Sequence, residues 1–395
     1  MTNESDPIKS APPAAPMRFA KAADEIPEAM SIQFNQMVYD LKRAGRDVIV
    51  LSLGEAFFHI PLFDFHQTDY VKGYHYSDSM GLPELRQKIA AYYLNEYGAQ
   101  VDPDTIMISA GSKIIIYLAM LVTLERGEEV LMHDPCWVSY PQQARLVGAV
   151  PKNIPYDAQP RDFEKYMTDK TRMLILNNPN NPGGFVYSAQ DLRRLYDVCR
   201  ARGIYMLVDE AYSDFVLDGS FSTMAKLFPG LEHVIIVNSL SKNLGMSGWR
   251  IGYAITHKEV IKRLLKTNQH LITCAPTTLQ QYCVKYFEQI LSHTLPQVAE
   301  TVRKRGRVAK MLDELELTRL PGGSTFYFFV GIDPYPGTSF EFATTLLQEK
   351  GVCVVPGSGY GTSTDRFVRV GIGTESEERI REALVFIKDL TQSGQ

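Results

Sequence analysis

Three short apolar runs at nearly constant spacing constrain the fold of this chain more than any other feature. Met173–Leu176 (MLIL), Ile204–Val208 (IYMLV) and Val234–Val237 (VIIV) begin 31 and 30 residues apart. That interval fits a strand, a crossover helix and the next parallel strand. Runs without polar alternation are strands covered on both faces, so the expected architecture is α/β, a mostly parallel sheet between helices. The helix between the first two runs is legible residue by residue. Ser188 is its N-cap, Asp191 stands in the first turn, Leu192, Leu195, Tyr196 and Cys199 follow the i, i+3, i+4, i+7 stripe, and Gly203 ends it. An earlier run, Thr105–Ser109, is followed by Ala110-Gly-Ser-Lys113 and an apolar helix. In open sheets of this kind ligands bind just beyond the carboxyl ends of the strands.

The last third changes character. Segments 321–330, 352–361 and 366–373 read as short strands among helical stretches 339–350 and 375–391. The expected organisation is a flexible leader over 1–24, the first part of a small α+β domain over 25–60, a large domain over 61–299 and the rest of the small domain over 300–395. The basic run RKRGR at 303–307 reads as a solvated helix face, and Phe326, Phe328 and Phe329 as packing.

Charge and composition exclude several classes. Lys+Arg 41 against Asp+Glu 45 leaves no basic excess for a nucleic acid or an anionic membrane. The longest apolar stretch, Ile114 to Leu124, is eleven residues, whereas a membrane span needs about 20. The opening MTNESDPIKSAPPAAP lacks the pattern of a secretory signal, and five cysteines without a Cys-x-x-Cys pair read as reduced core thiols, which suits a cytoplasmic protein. Eight histidines without close ligand spacing give no metal site.

The polar residues at the sheet edge carry the chemistry. Ser239-Leu-Ser-Lys242 follows an apolar strand and leads to Arg250. A lysine withdrawn from water loses pKa, and its neutral amine condenses with aldehydes. Arg250 offers a planar fork for a phosphate, flanked by the hydroxyls of Ser239 and Ser241. Taken singly, each residue has an ordinary reading: Lys242 as a solvated loop lysine, Asp209 as a helix cap, NNPNNPGG around Asn181 as a turn, Trp137 and Tyr76 as packing, and Arg369 as a strand arginine.

Together and in order, from about residue 50 to 375, these segments resemble fold-type I pyridoxal-phosphate enzymes, specifically class I/II aminotransferases. The resemblance implies that Lys242 carries pyridoxal 5'-phosphate as an internal aldimine. By the same likeness Asp209 of VDEAY pairs with the pyridine nitrogen, Tyr212 and Asn181 reach the cofactor's phenolic oxygen, and Trp137 of HDPCWVSYP lies against its ring. Gly111, Ser112 and Lys113, with Ser239, Ser241 and Arg250, cradle the phosphate, Lys113 standing where glutamine is more usual. Arg369 of RFVRVGIGT clamps the substrate α-carboxylate, and Gly54 of LSLGEAFF brings its backbone to that carboxylate. Tyr76 reaches the phosphate in the neighbouring subunit, which implies a homodimer with shared active sites.

The implied reaction moves an amino group from an L-amino acid to a 2-oxo acid in two half reactions. A lyase or synthase of the same fold, acting at Cβ or Cγ, would use the same Lys242–Asp209–Arg250 frame. Features of aspartate, aromatic and histidinol-phosphate aminotransferases are mixed. Phe57 and Phe58, with no basic residue after Lys113 in its helix, point to an aromatic or otherwise apolar donor.

Overall fold

The computed structural model describes residues 17–67 and 69–392. The leader expected over 1–24 therefore lies outside the described residues as far as residue 16, and its end carries the short helix Lys21–Glu25. Among the described residues no helix is long and apolar enough to cross a membrane.

Strand β1 (Ile49–Val50) comes first. Seven strands then build one sheet: β2 (Ile106–Ser109), β3 (Glu129–His133), β4 (Val150–Ile154), β5 (Thr171–Asn177), β6 (Tyr205–Asp209), β7 (Val234–Ser239) and β8 (Gly252–Thr256). Their order is β2-β8-β7-β6-β5-β3-β4, parallel throughout except for β8, which is antiparallel to both β2 and β7. The three runs read from the sequence are β5, β6 and β7, adjacent and parallel as their spacing requires. Their continuous apolar character has a period-two cause. Leu174, Leu176, Val234 and Ile236 enter one core, while Met173, Ile175, Ile235 and Val237 enter the other. Helices Pro83–Tyr97 and Ala189–Ala201 cover the first face, and Ser112–Thr123 and Lys258–Leu271 the second. Helix Ala189–Ala201 is capped by Ser188, whose side chain accepts from the Asp191 amide, and buries the stripe read from the sequence.

A separate core is built from β9 (Tyr327–Gly331), β10 (Val352–Cys353) and β12 (Phe367–Gly371), with β11 (Val355–Pro356) paired to β12. Strand β1 pairs with β10, so residues near 50 fold with the C-terminal third, together with Phe34 and Val38 of helix Met30–Arg43. One 38-residue helix, Thr277–Glu314, serves both cores. Tyr282, Phe287 and Ile290 pack into the first, and Val298, Val308 and Leu312 into the second, so the change falls between Leu291 and Val298. The residue 299/300 division lies inside this helix.

The basic run departs from its expected solvated face. Arg303 and Arg307 are exposed and ion-paired with Glu300. Arg305 is buried, its Nε donating to the Tyr327 carbonyl at 3.1 Å, and Lys304 donates to the Ile372 carbonyl at 2.8 Å. The cause is periodicity: Val298, Val302, Arg305, Val308 and Leu312 fall on one helix face, so the arginine lies on the stripe that meets β9.

Candidate active site

The site begins where strands end. Asn177 and Asp209 close β5 and β6 in register, and Ser239 closes β7. Antiparallel β8 brings Gly252 opposite both Ser239 and Ser109. A Cβ on Gly252 would stand 2.3 Å from the Ser112 amide nitrogen, so glycine there admits the start of helix Ser112–Thr123 onto the sheet edge. Gly111, at φ +88°, lies so close to Arg250 that a Cβ would meet its Nη2 at 2.3 Å. These approaches gather a helix N-terminus, the Ser239 and Ser241 hydroxyls 2.7 Å apart, and the Arg250 guanidinium. Arg250 is exposed and donates to the Ser247 carbonyl at 2.7 Å. Amide, hydroxyl and guanidinium donors that converge this way suit an anion with several oxygens.

Asp209 is buried and fully hydrogen-bonded. Its Oδ2 accepts from the Tyr140 hydroxyl at 2.6 Å and its Oδ1 from the Ala211 amide at 3.0 Å. Burial nevertheless raises its pKa, with Lys242 among the groups that oppose the rise. Trp137 stands beside it, its ring 5.4 Å edge-on from Tyr140 and 5.0 Å from the Lys113 ammonium.

Lys242 Nζ donates to the Gly54 carbonyl at 2.6 Å and lies 5.7 Å above the Tyr212 ring. Withdrawal of the ammonium from water lowers its pKa to about 8, against the pull of Glu55 and with help from Arg369. The Tyr212 hydroxyl is 2.9 Å from that of Tyr327 and accepts from Asn181 Nδ2 at 3.3 Å. Arg369 is buried on β12. Its Nη2 donates to the Ser52 carbonyl at 2.6 Å, its guanidinium carbon lies 4.6 Å over the Tyr327 ring, and its Nε has no partner among the described residues.

Together these residues line a cleft of about 540 Å³ between the two cores. It brings together Gly54, Ser112, Lys113, Trp137, Asn181, Asp209, Tyr212, Ser239, Ser241, Lys242, Arg250 and Arg369, with Gly111 directly behind Arg250. Tyr76 is not brought there. It is 85% exposed on the outer surface, near the exposed Tyr74 and Val71. The phenylalanines that suggested an apolar donor are not there either: Phe57 is 67% exposed, and Phe58 packs into the second core beneath Gly245. The cleft holds a cation instead, Lys113 itself, alongside Ser31 and Asn35. Sequence reasoning passed over Tyr140, Tyr327 and Glu55. Tyr140 lay within the quoted HDPCWVSYP segment, three residues beyond Trp137, whereas nothing local set Tyr327 apart from Phe326 and Phe328.

Comparison with known proteins identifies the family. Residues 67–387 match the family described as aminotransferase class I and II. The chain is 33% identical over 353 residues to the (5-formylfuran-3-yl)methyl phosphate transaminase of Methanocaldococcus jannaschii, covering 88% of this chain and 93% of the relative. It is 31% identical to the aspartate aminotransferase of Geobacillus stearothermophilus, over 87% of this chain and 92% of that one. The structure of Thermus thermophilus aspartate aminotransferase with maleate superposes at TM-score 0.86 and 27% identity, over 95% of this chain and 100% of the other. The chain is a member of the class I and II aminotransferases, and its fold is the fold-type I architecture of that family.

Proposed function

We propose that this aminotransferase works with pyridoxal 5'-phosphate bound in the cleft through Lys242, taking the amino group from an L-amino acid and giving it to a 2-oxo acid. The residues fit the group. A Cβ at Gly111 would fill the cradle, meeting Arg250 Nη2 at 2.3 Å, so only glycine leaves that space open. The cradle of Ser112, Ser239, Ser241 and Arg250 has the donors a phosphate needs. Asp209 would hold a protonated ring nitrogen, Trp137 would cover the ring, and Tyr212 and Asn181 would meet its phenolic oxygen, a reading supported by their common place in the cleft lining. When bound, the group supplies a sink for the electrons released as the substrate Cα–H bond breaks.

The chain's own residues do the rest. Arg369 pairs with the substrate α-carboxylate through two parallel bonds and fixes the Cα–H toward Lys242. The lowered pKa of Lys242 favours the neutral amine, whose Nζ takes the proton from Cα. Lys113, Ser31 and Asn35 favour a polar or anionic donor side chain over an apolar one. Tyr76 reaches the cofactor phosphate of a second copy in a homodimer, for which its 85% exposure leaves it free. The five free cysteines suit the cytoplasm.

The observation that carries this reading is Lys242 Nζ, desolvated at the cleft floor between Asp209 and Arg369. Borohydride reduction of the cofactor-loaded protein, followed by peptide mapping, should label Lys242. The absorption at about 400 nm should bleach with an amino acid and return with a 2-oxo acid. Product release without bleaching would instead favour elimination at Cβ or Cγ. Turnover with phenylalanine far above that with aspartate or glutamate would overturn the polar-donor assignment.

A further inference from the structure

Tyr327 has no role in the reading above, yet its hydroxyl stands at the centre of the cleft's second wall. It is fully buried on β9, lines the cleft, and has one hydrogen-bond partner among the described residues, the Tyr212 hydroxyl at 2.9 Å. Its ring is fixed from one side by the Arg369 guanidinium, 4.6 Å away. The backbone of Gly54 lies close to the hydroxyl, since a Cβ there would sit 3.3 Å from it.

A proton count decides the direction of the bond. A phenol gives one proton and accepts up to two. In its proposed role Tyr212 gives its one proton to the cofactor's phenolic oxygen and has none left for Tyr327, so it cannot be the donor of the 2.9 Å bond. If Tyr327 gives instead, its proton is satisfied. Tyr212 Oη then receives two bonds, from Tyr327 and from Asn181 Nδ2 at 3.3 Å. Its own proton is then free to face the cleft.

We infer that Tyr327 is a positioning residue that donates its hydroxyl proton to Tyr212 and so turns the Tyr212 proton into the cleft as a strengthened donor. The inference rests on the proposed role of Tyr212 toward the cofactor's phenolic oxygen. A phenol that accepts hydrogen bonds donates more strongly, because each incoming bond offsets charge left on its oxygen. The charged and titratable groups facing the pair are Arg369, Lys242, Asp209 and Glu55. All of these stay in place when the Tyr327 hydroxyl alone is removed.

The test is a pH titration of the visible absorption of the pyridoxal-phosphate-loaded protein, which reads the protonation of the bound chromophore rather than turnover. A donor to the phenolic oxygen favours its deprotonated form, so weakening that donor should raise the midpoint. Tyr327→Phe should raise it by about half a unit to one unit, and Tyr212→Phe by at least as much. The double variant should match Tyr212→Phe alone, because Tyr327 acts only through Tyr212. Melting temperatures check that each variant is folded. A midpoint for Tyr327→Phe within about a fifth of a unit of the wild type, with Tyr212→Phe clearly moved, overturns the inference, as does a double variant that moves further than Tyr212→Phe. If the wild-type protein takes up the cofactor without any visible chromophore, it is the proposed role of Lys242 that fails, and the inference with it.

Discussion

The two walls of the cleft are built on different terms. The floor, on the large sheet, satisfies its charged group and its hydroxyls: both Asp209 oxygens accept hydrogen bonds, and Ser239 and Ser241 bond to each other. The opposite wall does not. Arg369 spends one nitrogen on the Ser52 carbonyl and leaves Nε without a partner among the described residues, with no carboxylate beside it. A buried guanidinium without a counter-ion is expensive, and here tyrosine rings 4.6 and 5.3 Å away partly offset the cost. The contrast separates a half whose carboxylate is already bonded before substrate arrives from a half whose guanidinium keeps bonding capacity for an incoming carboxylate.

Four experiments would break or sharpen that contrast, the largest effect first. Lys242→Ala should abolish both the bound chromophore and turnover, measured by absorbance and by amino-group transfer. Arg369→Ala should lower kcat/KM about a hundred- to a thousandfold while the chromophore of the unreacted protein stays unchanged. A chromophore lost together with activity would mean the two walls are not independent.

Asp134→Ala should raise KM for the amino donor about tenfold with the chromophore intact. The buried Asp134, beyond the end of β3, accepts from the Ser363 amide at 3.1 Å and its hydroxyl at 2.9 Å. It presses so closely on Gly361 that a Cβ there would stand 2.2 Å from its carboxyl carbon. That loop carries Tyr360, whose ring supports Arg369, so the tie holds the substrate wall against the floor.

The smallest effect is on stability. Because burial lowers the Lys242 pKa to about 8, the folded apoprotein binds fewer protons than the unfolded chain between about pH 8 and 10.5. The lysine therefore destabilises the fold most below pH 8, and that penalty fades as pH climbs toward 10.5. Thermal melts should find apo Lys242→Ala more stable than wild type at pH 7, with the difference shrinking through that window.

Most of the floor was readable in the sequence, because β5, β6 and β7 are continuous apolar runs and their polar terminal residues fall on the ligand-binding edge. Much of the substrate wall was not. Tyr327 has apolar neighbours on both sides in its strand, and its hydroxyl acquires meaning only from Tyr212, 115 residues away. The placement of Phe57 and Phe58 was misjudged for the same reason. Past Gly54 the chain turns within a few residues: Gly54 and Glu55 face the cleft, Phe58 enters the second core and Phe57 faces outward. Arg305 was hidden in a basic run whose helical phase is set by valines on either side.

The long helix Thr277–Glu314 has a proline, Pro296, within the stretch where its packing passes from one core to the other. Proline has no amide hydrogen, so the rod lacks a rung at that level and is weakest in bending there. A push on either end is borne stiffly along each half and yields between them. A change of angle between the two cores would therefore cost least at that level, where it would disturb the packing of neither.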